Sequence, residues 1–449
     1  MEASNIKRGI YFQNRLWDTK LGKRFKDLNI WRGSPVGKIT FLGLLVVFII
    51  NLFICSAIFT KNVTMAFSSS VFLGSIAGFL QRLNIIDKVH FFSTLSVICL
   101  SFSPLAIYLF VRRVAYRHEL TAFLATLFYV LPNPISPKGM PLIQALLNGD
   151  GAHVVVFAFL PFSLLYYKAF LSSGIFVWGF LSILVTGAIM LTSPFAFLNL
   201  IIFLSILTVG EGFMGGFRVK FGRFLFVIIS SFGLSYFWYY PSAITKIVVL
   251  ESFRFAASYL WKIFPLLIPA IPIVGSISFL IFDRREKLQP FFLTVFLLII
   301  YLLIVNVSLS NATGIFMADR YLPEFIFAKS FTVALILGFA FDFLYVKVKI
   351  YIRQKNNFML IILFFLSFIS VITYVFLQSF LHINLTRQEL ATRNVIESYP
   401  LGIGGITRIG IFSDISSSLA GLVSIFTLIL LLYVFKRYPY SLGSRVTES

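Results

Sequence analysis

Apolar stretches of membrane-spanning length recur about a dozen times along the chain, and clusters of Lys and Arg follow every second one. An uncharged run of ~20 residues matches the hydrocarbon thickness of a bilayer, and basic flanks stay on the cytoplasmic side. The pattern therefore predicts an all-α, polytopic transmembrane helical bundle of about 12 spans. The predicted spans are 40–60, 91–111, 119–131, 153–170, 175–191, 194–209, 224–242, 262–282, 290–306, 326–346, 358–378 and 418–435.

The composition agrees with a membrane protein. Hydrophobic residues make up 59% of the chain, charged residues only 12%, and 55 of the 449 residues are Phe. A soluble protein of this length would carry far more charged surface. The third span, 119–131, ends before Pro132 and is shorter than the hydrocarbon layer is thick, which predicts a helix that is tilted, broken or only partly inserted.

The distribution of charge predicts the orientation. Twelve spans place both termini on one side, and most of the 38 Lys and Arg residues fall on that side, in short loops. We therefore expect a multi-pass integral protein of the cell membrane with both termini cytoplasmic. Its predicted parts are a cytoplasmic basic or interfacial arm (1–39), a transmembrane domain (40–435), a cytoplasmic tail (436–449) and outer loops at 61–90, 132–152, 243–261, 307–325 and 379–417.

The basic residues also bear on the class of partner. A nucleic-acid binder presents its cations as one continuous stripe, whereas these lie in separate loops between spans, which excludes nucleic acid as a partner. In the arm, aromatic residues stand among the cations, a pattern typical of contact with anionic membrane lipid. The simpler interpretation is that the arm only orients the chain in the membrane.

Soluble-domain chemistry has no motif in this sequence. The two cysteines lie within predicted spans, and the four histidines lack metal-ligand spacing, so we expect no metal cluster. Phosphate-binding loops, nucleophile elbows and dinucleotide fingerprints are also missing from the sequence. Chemistry is therefore expected at the membrane surface, where the outer loops supply carboxylates as bases and guanidinium groups as phosphate ligands.

Five short motifs lie between residues 40 and 345 and occur in a fixed order along the chain. They are Arg112-Arg113 before an Ala- and Leu-rich third span, Gly149 to Leu165, Leu191 to Pro194, Phe237-Trp238 with Pro241, and Asp319 to Pro323. In these five motifs the chain resembles a remote member of the GT-C superfamily, the polytopic glycosyltransferases that use lipid-phosphate-linked sugars.

The resemblance implies sugar transfer with inversion at the outer membrane face, from a polyprenyl-phosphate-linked donor. A carboxylate would deprotonate the acceptor hydroxyl while cations stabilise the departing phosphate. Asp87 and Asp150 are the candidate bases, and Arg320, Arg254 and His153 are the candidate donor ligands. A divalent cation is a possible cofactor in this superfamily. The hypothesis predicts that Asp87, Asp150 and Arg320 line one outward-facing cavity.

One departure from the family pattern leaves other functions open. The family places its catalytic acid soon after the first span, but Thr60 to Met65 contains none, and Asp87 is the first acid of the outer loops. A catalytically silent scaffold that binds a protein partner through its outer loops is one alternative. A 12-span transporter or lipid flippase with a central polar cavity is another. In the simplest interpretation, Asp87 with Lys88 caps a helix and Asp150 belongs to a turn.

Overall fold

The structure, a computed structural model, describes residues 35–59, 63–67, 70–116, 118–131, 140–239, 269–277, 285–310, 321–353, 366, 370, 373, 387–388 and 415–437. The chain divides into two compact units between Val46 and Val47, and every contact discussed below lies within the second unit. The predicted arm up to residue 34, the loop 243–261, most of the loop 379–417, most of the spans 262–282 and 358–378, and the tail from residue 438 lie outside the described residues.

The described part of the chain is helical and contains no strand. Its helices are α1 (Pro35–Cys55), α2 (Val63–Ala66), α3 (Val71–Arg82), α4 (Lys88–Val114), α5 (Glu119–Val130), α6 (Pro141–Leu147), α7 (Gly151–Ser173), α8 (Phe176–Thr192), α9 (Pro194–Phe213), α10 (Phe217–Ser235), α11 (Arg285–Ser310), α12 (Leu322–Arg353) and α13 (Ile415–Arg437). A short 3-10 turn, Ser56–Ile58, follows α1, and residues 269–277 are also helical.

Five helical segments of the described chain are long and apolar enough to cross a membrane. They are Thr40–Ile58, Lys88–Val114, Gly151–Ser173, Leu322–Ala340 and Ser418–Arg437. Shorter apolar helices occupy Glu119–Val130, Phe176–Thr192, Asn199–Phe213 and Leu288–Ile304. The all-α class is confirmed, and the long apolar helices indicate an integral membrane protein, whereas the number of twelve spans stays a prediction.

Local sequence signals explain where several helices begin and end. Ser70 caps α3 by accepting a hydrogen bond from the Leu73 N–H, and Asp87 caps α4 in the same way through Val89. Pro141 opens α6 at a position where no backbone donor is needed. At the end of α7, Gly174 takes a left-handed conformation (φ +69°) that closes the last turn.

The short third span forms helix α5, whose 12 residues give a length of roughly 18 Å. Most of its side chains are buried, so protein rather than lipid surrounds it. Its last turn reaches only the middle of α4, because Tyr129, Leu100 and Ser103 line one small cavity. Lipid offers no hydrogen bonds to the backbone. A helix can therefore end partway across a membrane only where protein surrounds it.

Helix α7 lies at the centre of the bundle and packs against α4, α6, α8 and α9. Helix α12 packs on α5 and α11. The bundle has two ends. Helices α4, α7 and α12 begin at one, the Asp87 end, and run toward the other, the Lys168 end. Helix α13 contacts α8 and α10 and leaves most of its apolar side chains exposed, as expected of a helix in lipid.

Candidate functional site

A groove of about 980 Å³ lies at the Asp87 end, between α3 and the start of α4. Its wall combines two kinds of side chain. Apolar surface comes from Phe67, Phe79 and Phe92, and the polar and charged residues that line it are Thr64, Ser70, Ser75, Gln81, Arg82, Asp87 and Lys88. Helix α3 is held over this groove by the Ser70 hydroxyl, which donates a 2.7 Å hydrogen bond to the Thr192 carbonyl at the end of α8.

Asp87 lines the groove and also caps α4. Its Oδ2 accepts a 3.1 Å hydrogen bond from the Val89 N–H, and its Oδ1 accepts one of 3.3 Å from Gln81 Nε2. His90 Nδ1 lies 3.9 Å from Oδ2. The carboxylate remains half exposed, so it is accessible from the groove while serving the helix. The simple interpretation of Asp87 as a cap is therefore confirmed, and it coexists with a position in the groove.

Two cations share the groove with Asp87. Arg82 is the last residue of α3, and Lys88 is the first residue of α4. Sequence reasoning placed the phosphate-binding role on more distant arginines and missed these two. Their separation of six residues, on either side of a short turn between two helices, was the signal that could have identified them, because such a turn brings both helix ends to one place.

The second candidate base, Asp150, occupies a different environment. It is 6% exposed and precedes the first turn of α7, where its carbonyl accepts the His153 N–H at 3.1 Å. Asp150 is not among the described residues that line the groove. Its neighbour Gly151 packs against the ring of Phe67, which forms part of the groove wall. Asp150 thus precedes a residue that packs against this wall, but does not itself line the groove.

The predicted convergence of Asp87, Asp150 and Arg320 on one cavity stays a prediction. The structure places Asp87 in the groove and Asp150 outside its lining, and both Arg320 and Arg254 lie outside the described residues. The assignment of these two arginines as donor ligands stays a prediction. Within the described chain, no group of three or more His, Cys, Asp or Glu residues is arranged to hold a metal ion.

His153 lies in a buried polar cluster at the Asp87 end. Its Nε2 is 2.7 Å from Oε1 of Glu324, and each of these side chains is 1% exposed. Asn199 Nδ2 donates a 2.9 Å hydrogen bond to the same carboxylate oxygen. The cluster joins the first turns of α7 and α12 to the second turn of α9. His153 therefore contacts a carboxylate in this structure, and its assignment as a donor ligand stays a prediction.

An aromatic layer lies one helical turn below this cluster. Phe157, Phe203 and Phe327 follow His153, Asn199 and Glu324 by four, four and three residues, which puts each ring on the same helix face as its polar partner. The ring of Phe327 lies 5.9 Å from the rings of both Phe157 and Phe203. This recurring spacing of a polar residue and a Phe was a signal that sequence analysis missed.

Two tyrosines flank the cluster from helices that run the opposite way. The ring of Tyr129 on α5 stacks on Phe157 at 5.3 Å, and that of Tyr301 on α11 lies 6.4 Å from Phe203. Both phenols are fully buried and lie within electrostatic range of the Glu324 carboxylate. The polar cluster thus has contributions from five helices.

A second buried cluster lies at the Lys168 end. The Lys168 ammonium contacts Glu211 and Gln289, and Lys220 Nζ lies 3.2 Å from the other oxygen of Glu211. Along α7, 15 residues separate His153 from Lys168, which corresponds to roughly 22 Å. Arg223 donates hydrogen bonds to the last carbonyls of α7, those of Phe170 and Leu171. This cluster ties together the ends of four helices.

No family model, curated protein or solved structure matches this chain. The function is therefore inferred from the geometry of the groove and of the buried clusters.

Proposed function

We propose that the chain is a GT-C-like integral membrane glycosyltransferase that binds a polyprenyl-phosphate-linked sugar in the groove at the Asp87 end, on the outer membrane face. One observation carries this proposal: the carboxylate of Asp87 lines the same groove as the cations of Arg82 and Lys88 and the rings of Phe67, Phe79 and Phe92. A lipid-linked donor has matching parts, because its phosphate needs cations and its prenyl chain needs apolar surface.

Each side chain has a role in this proposal. Arg82 and Lys88 bind the phosphate and stabilise the charge that grows on it as the sugar leaves. Asp87 accepts the proton of the acceptor hydroxyl, and its half-exposed carboxylate is open to such an acceptor. Gln81, which donates to Asp87 Oδ1, holds the carboxylate in position.

A catalytically silent scaffold with the same groove is the second candidate, and a specific observation favours it. Both carboxylate oxygens of Asp87 already accept hydrogen bonds, from Gln81 and from the Val89 N–H. The carboxylate therefore already has structural partners, as expected of a residue that caps a helix. A transporter, the remaining alternative, predicts one central polar cavity, whereas the described buried polar side chains include two clusters separated along α7.

The test separates binding from turnover. The full chain is placed in lipid nanodiscs, and binding of farnesyl phosphate is compared with binding of farnesol, which lacks the phosphate. We expect only the phosphate to bind with measurable affinity, and we expect the double variant R82Q/K88Q to bind it at least tenfold more weakly. Lys436→Gln, at the end of α13, is the matched control and should bind like the parent chain.

Turnover is measured as transfer of hexose from a panel of polyprenyl-phosphate hexoses to an alkyl glycoside. We expect Asp87→Asn to lower transfer at least ~100-fold, the usual contribution of a general base, while farnesyl phosphate binding and α4 capping persist. Asn is as good a helix cap as Asp, so loss of folding does not confuse the result. Binding without transfer by the parent chain would identify the scaffold, and absence of binding would reject the groove as a donor site.

A further inference from the structure

The buried cluster around Glu324 contains the negative charge of one carboxylate. The described residues place partners beside only one of its two oxygens, Oε1. Glu324 is fully buried, and the rings of Phe157, Phe203 and Phe327 form the layer below it. An ionised carboxylate in such surroundings costs many kcal/mol unless a positive charge lies beside it. His153 Nε2 lies 2.7 Å from Oε1, whereas Oε2 has no hydrogen-bond partner among the described residues.

Four buried oxygen atoms, one of them in the carboxylate itself, have no hydrogen-bond partner within the described chain. They are Glu324 Oε2, Asn199 Oδ1 and the hydroxyl oxygens of Tyr129 and Tyr301. Buried polar atoms are normally satisfied, so several unsatisfied ones in one cluster of a folded protein call for an explanation. These atoms belong to four helices, α12, α9, α5 and α11.

We propose that this cluster binds one small monovalent cation such as Na⁺. Carboxylate, amide and phenol oxygens are hard ligands, which suit a hard cation rather than a transition metal. The described cluster contains a single carboxylate, so one positive charge neutralises it. His153 is then neutral, with its Nε2 2.7 Å from Glu324 Oε1, and the Asn199 amide donates to the same oxygen.

A proton on His153 is the competing source of positive charge, and it explains less. An imidazolium balances the charge of Glu324 through Oε1, but Oε2 and the amide oxygen of Asn199 remain unsatisfied. A bound cation supplies the charge and a ligand contact for these oxygens at once. The proposal is independent of the glycosyltransferase proposal, because it concerns a buried site that does not line the groove.

The test uses the full chain in nanodiscs at pH 8, where an ordinary imidazole is neutral. Thermal unfolding is followed while NaCl replaces N-methylglucamine chloride at constant ionic strength. We expect the unfolding midpoint to rise with Na⁺ and to saturate, as binding to the folded state requires. Radioactive sodium should bind with a stoichiometry near one per chain.

Variants locate the site. Glu324→Gln should abolish the Na⁺ dependence and the sodium binding. Tyr301→Phe keeps the shape of the side chain and removes one oxygen, so it should weaken sodium affinity about three- to tenfold, the usual worth of one polar contact. Glu119→Gln, which changes a carboxylate paired with Arg112 at the opposite end of the bundle, is the matched control and should bind sodium like the parent chain.

Two results would overturn the proposal. A midpoint that is the same in Na⁺ and in N-methylglucamine, with no bound sodium, would show that a proton or a side chain such as Arg320, four residues before Glu324, balances the carboxylate. Sodium binding that persists in both Glu324→Gln and Tyr301→Phe would place the ion elsewhere. Tyr301→Phe keeps the test valid if Glu324→Gln fails to fold.

Discussion

Buried charges in this chain lie beside specific partners, and those partners come from distant parts of the sequence. Glu211 contacts Lys168 on α7 and Lys220 on α10, while Glu324 contacts His153 and Asn199. Removing one member of a buried ion pair leaves the other charge without compensation, which costs more than removing both. The effect of a single substitution at such a cluster therefore depends on what the remaining side chains can still pair with.

This reasoning predicts unequal effects of two substitutions at the Lys168 end. Glu211→Gln leaves the buried Lys168 without its carboxylate and should cost about 3 kcal/mol of unfolding free energy. Lys168→Met leaves Glu211 paired with Lys220 at 3.2 Å and should cost about 1 kcal/mol. Reversible unfolding in mixed detergent micelles measures both values, and a larger loss for Lys168→Met would contradict the pairing described here.

Helix ends and close helix contacts shape the groove. Helix α3 begins at a serine cap, α4 begins at Asp87, and the turn between them brings Arg82 and Lys88 to one wall. The other wall depends on Phe67, whose ring stacks on Phe92 at 4.5 Å. Gly151, at the start of α7, allows this ring to lie against the helix backbone.

The contact at Gly151 predicts the effect of one methyl group. An added Cβ would lie 2.8 Å from the Phe67 ring, which is 2% exposed and cannot move without leaving Phe92. Gly151→Ala should therefore cost about 1–3 kcal/mol and change farnesyl phosphate binding in the groove. Thermal unfolding and the binding assay measure the two effects.

Gly74→Ala is the matched control, because nothing lies within 4 Å of a Cβ at this position on α3. It should be neutral or slightly stabilising, as Ala favours helix over Gly. Equal effects of the two substitutions would contradict a special role for the Gly151 contact. Recovery of stability in the double variant Gly151→Ala/Phe67→Leu would identify the ring as the cause of the loss.

At the scale of the whole molecule, the bundle has two distinct ends. The groove and the Glu324 cluster lie at one end, and the Lys168 cluster lies at the other. Helix α13 ends near the Lys168 end, because Phe435 contacts Phe176 and Phe180 at the start of α8. This arrangement agrees with the alternation of basic loops in the sequence, which predicts that the Lys168 end is cytoplasmic.

Cysteine labelling in intact cells tests this orientation. Ile85→Cys, beside the groove, should react with a membrane-impermeant maleimide added outside the cells, because residue 85 is 66% exposed. Ser172→Cys, exposed at the end of α7, should react only after permeabilisation. The native Cys55 and Cys99 are buried and give little background. The opposite pattern would invert the topology and place the groove in the cytoplasm.

The sequence by itself determined the helical class, the membrane environment and the positions of most described helices. These follow from local quantities, namely hydropathy over ~20 residues, caps such as Ser70 and the shortness of the span 119–131. The sequence also predicted that Asp87 caps a helix, which the structure confirms. Its assignment as a base, the number of spans and the glycosyltransferase function remain predictions that follow from the resemblance and the chemistry of the loops.

Only the tertiary structure decided which polar residues meet. Asp87 shares a groove with Arg82 and Lys88, Asp150 is buried and does not line that groove, and His153 reaches Glu324 across 171 positions of sequence. Such partners are fixed by the rotation and depth of each helix in the bundle. Those depend on ring and backbone contacts between helices, as at Phe67 and Gly151, and no window of local sequence contains both sides of such a contact.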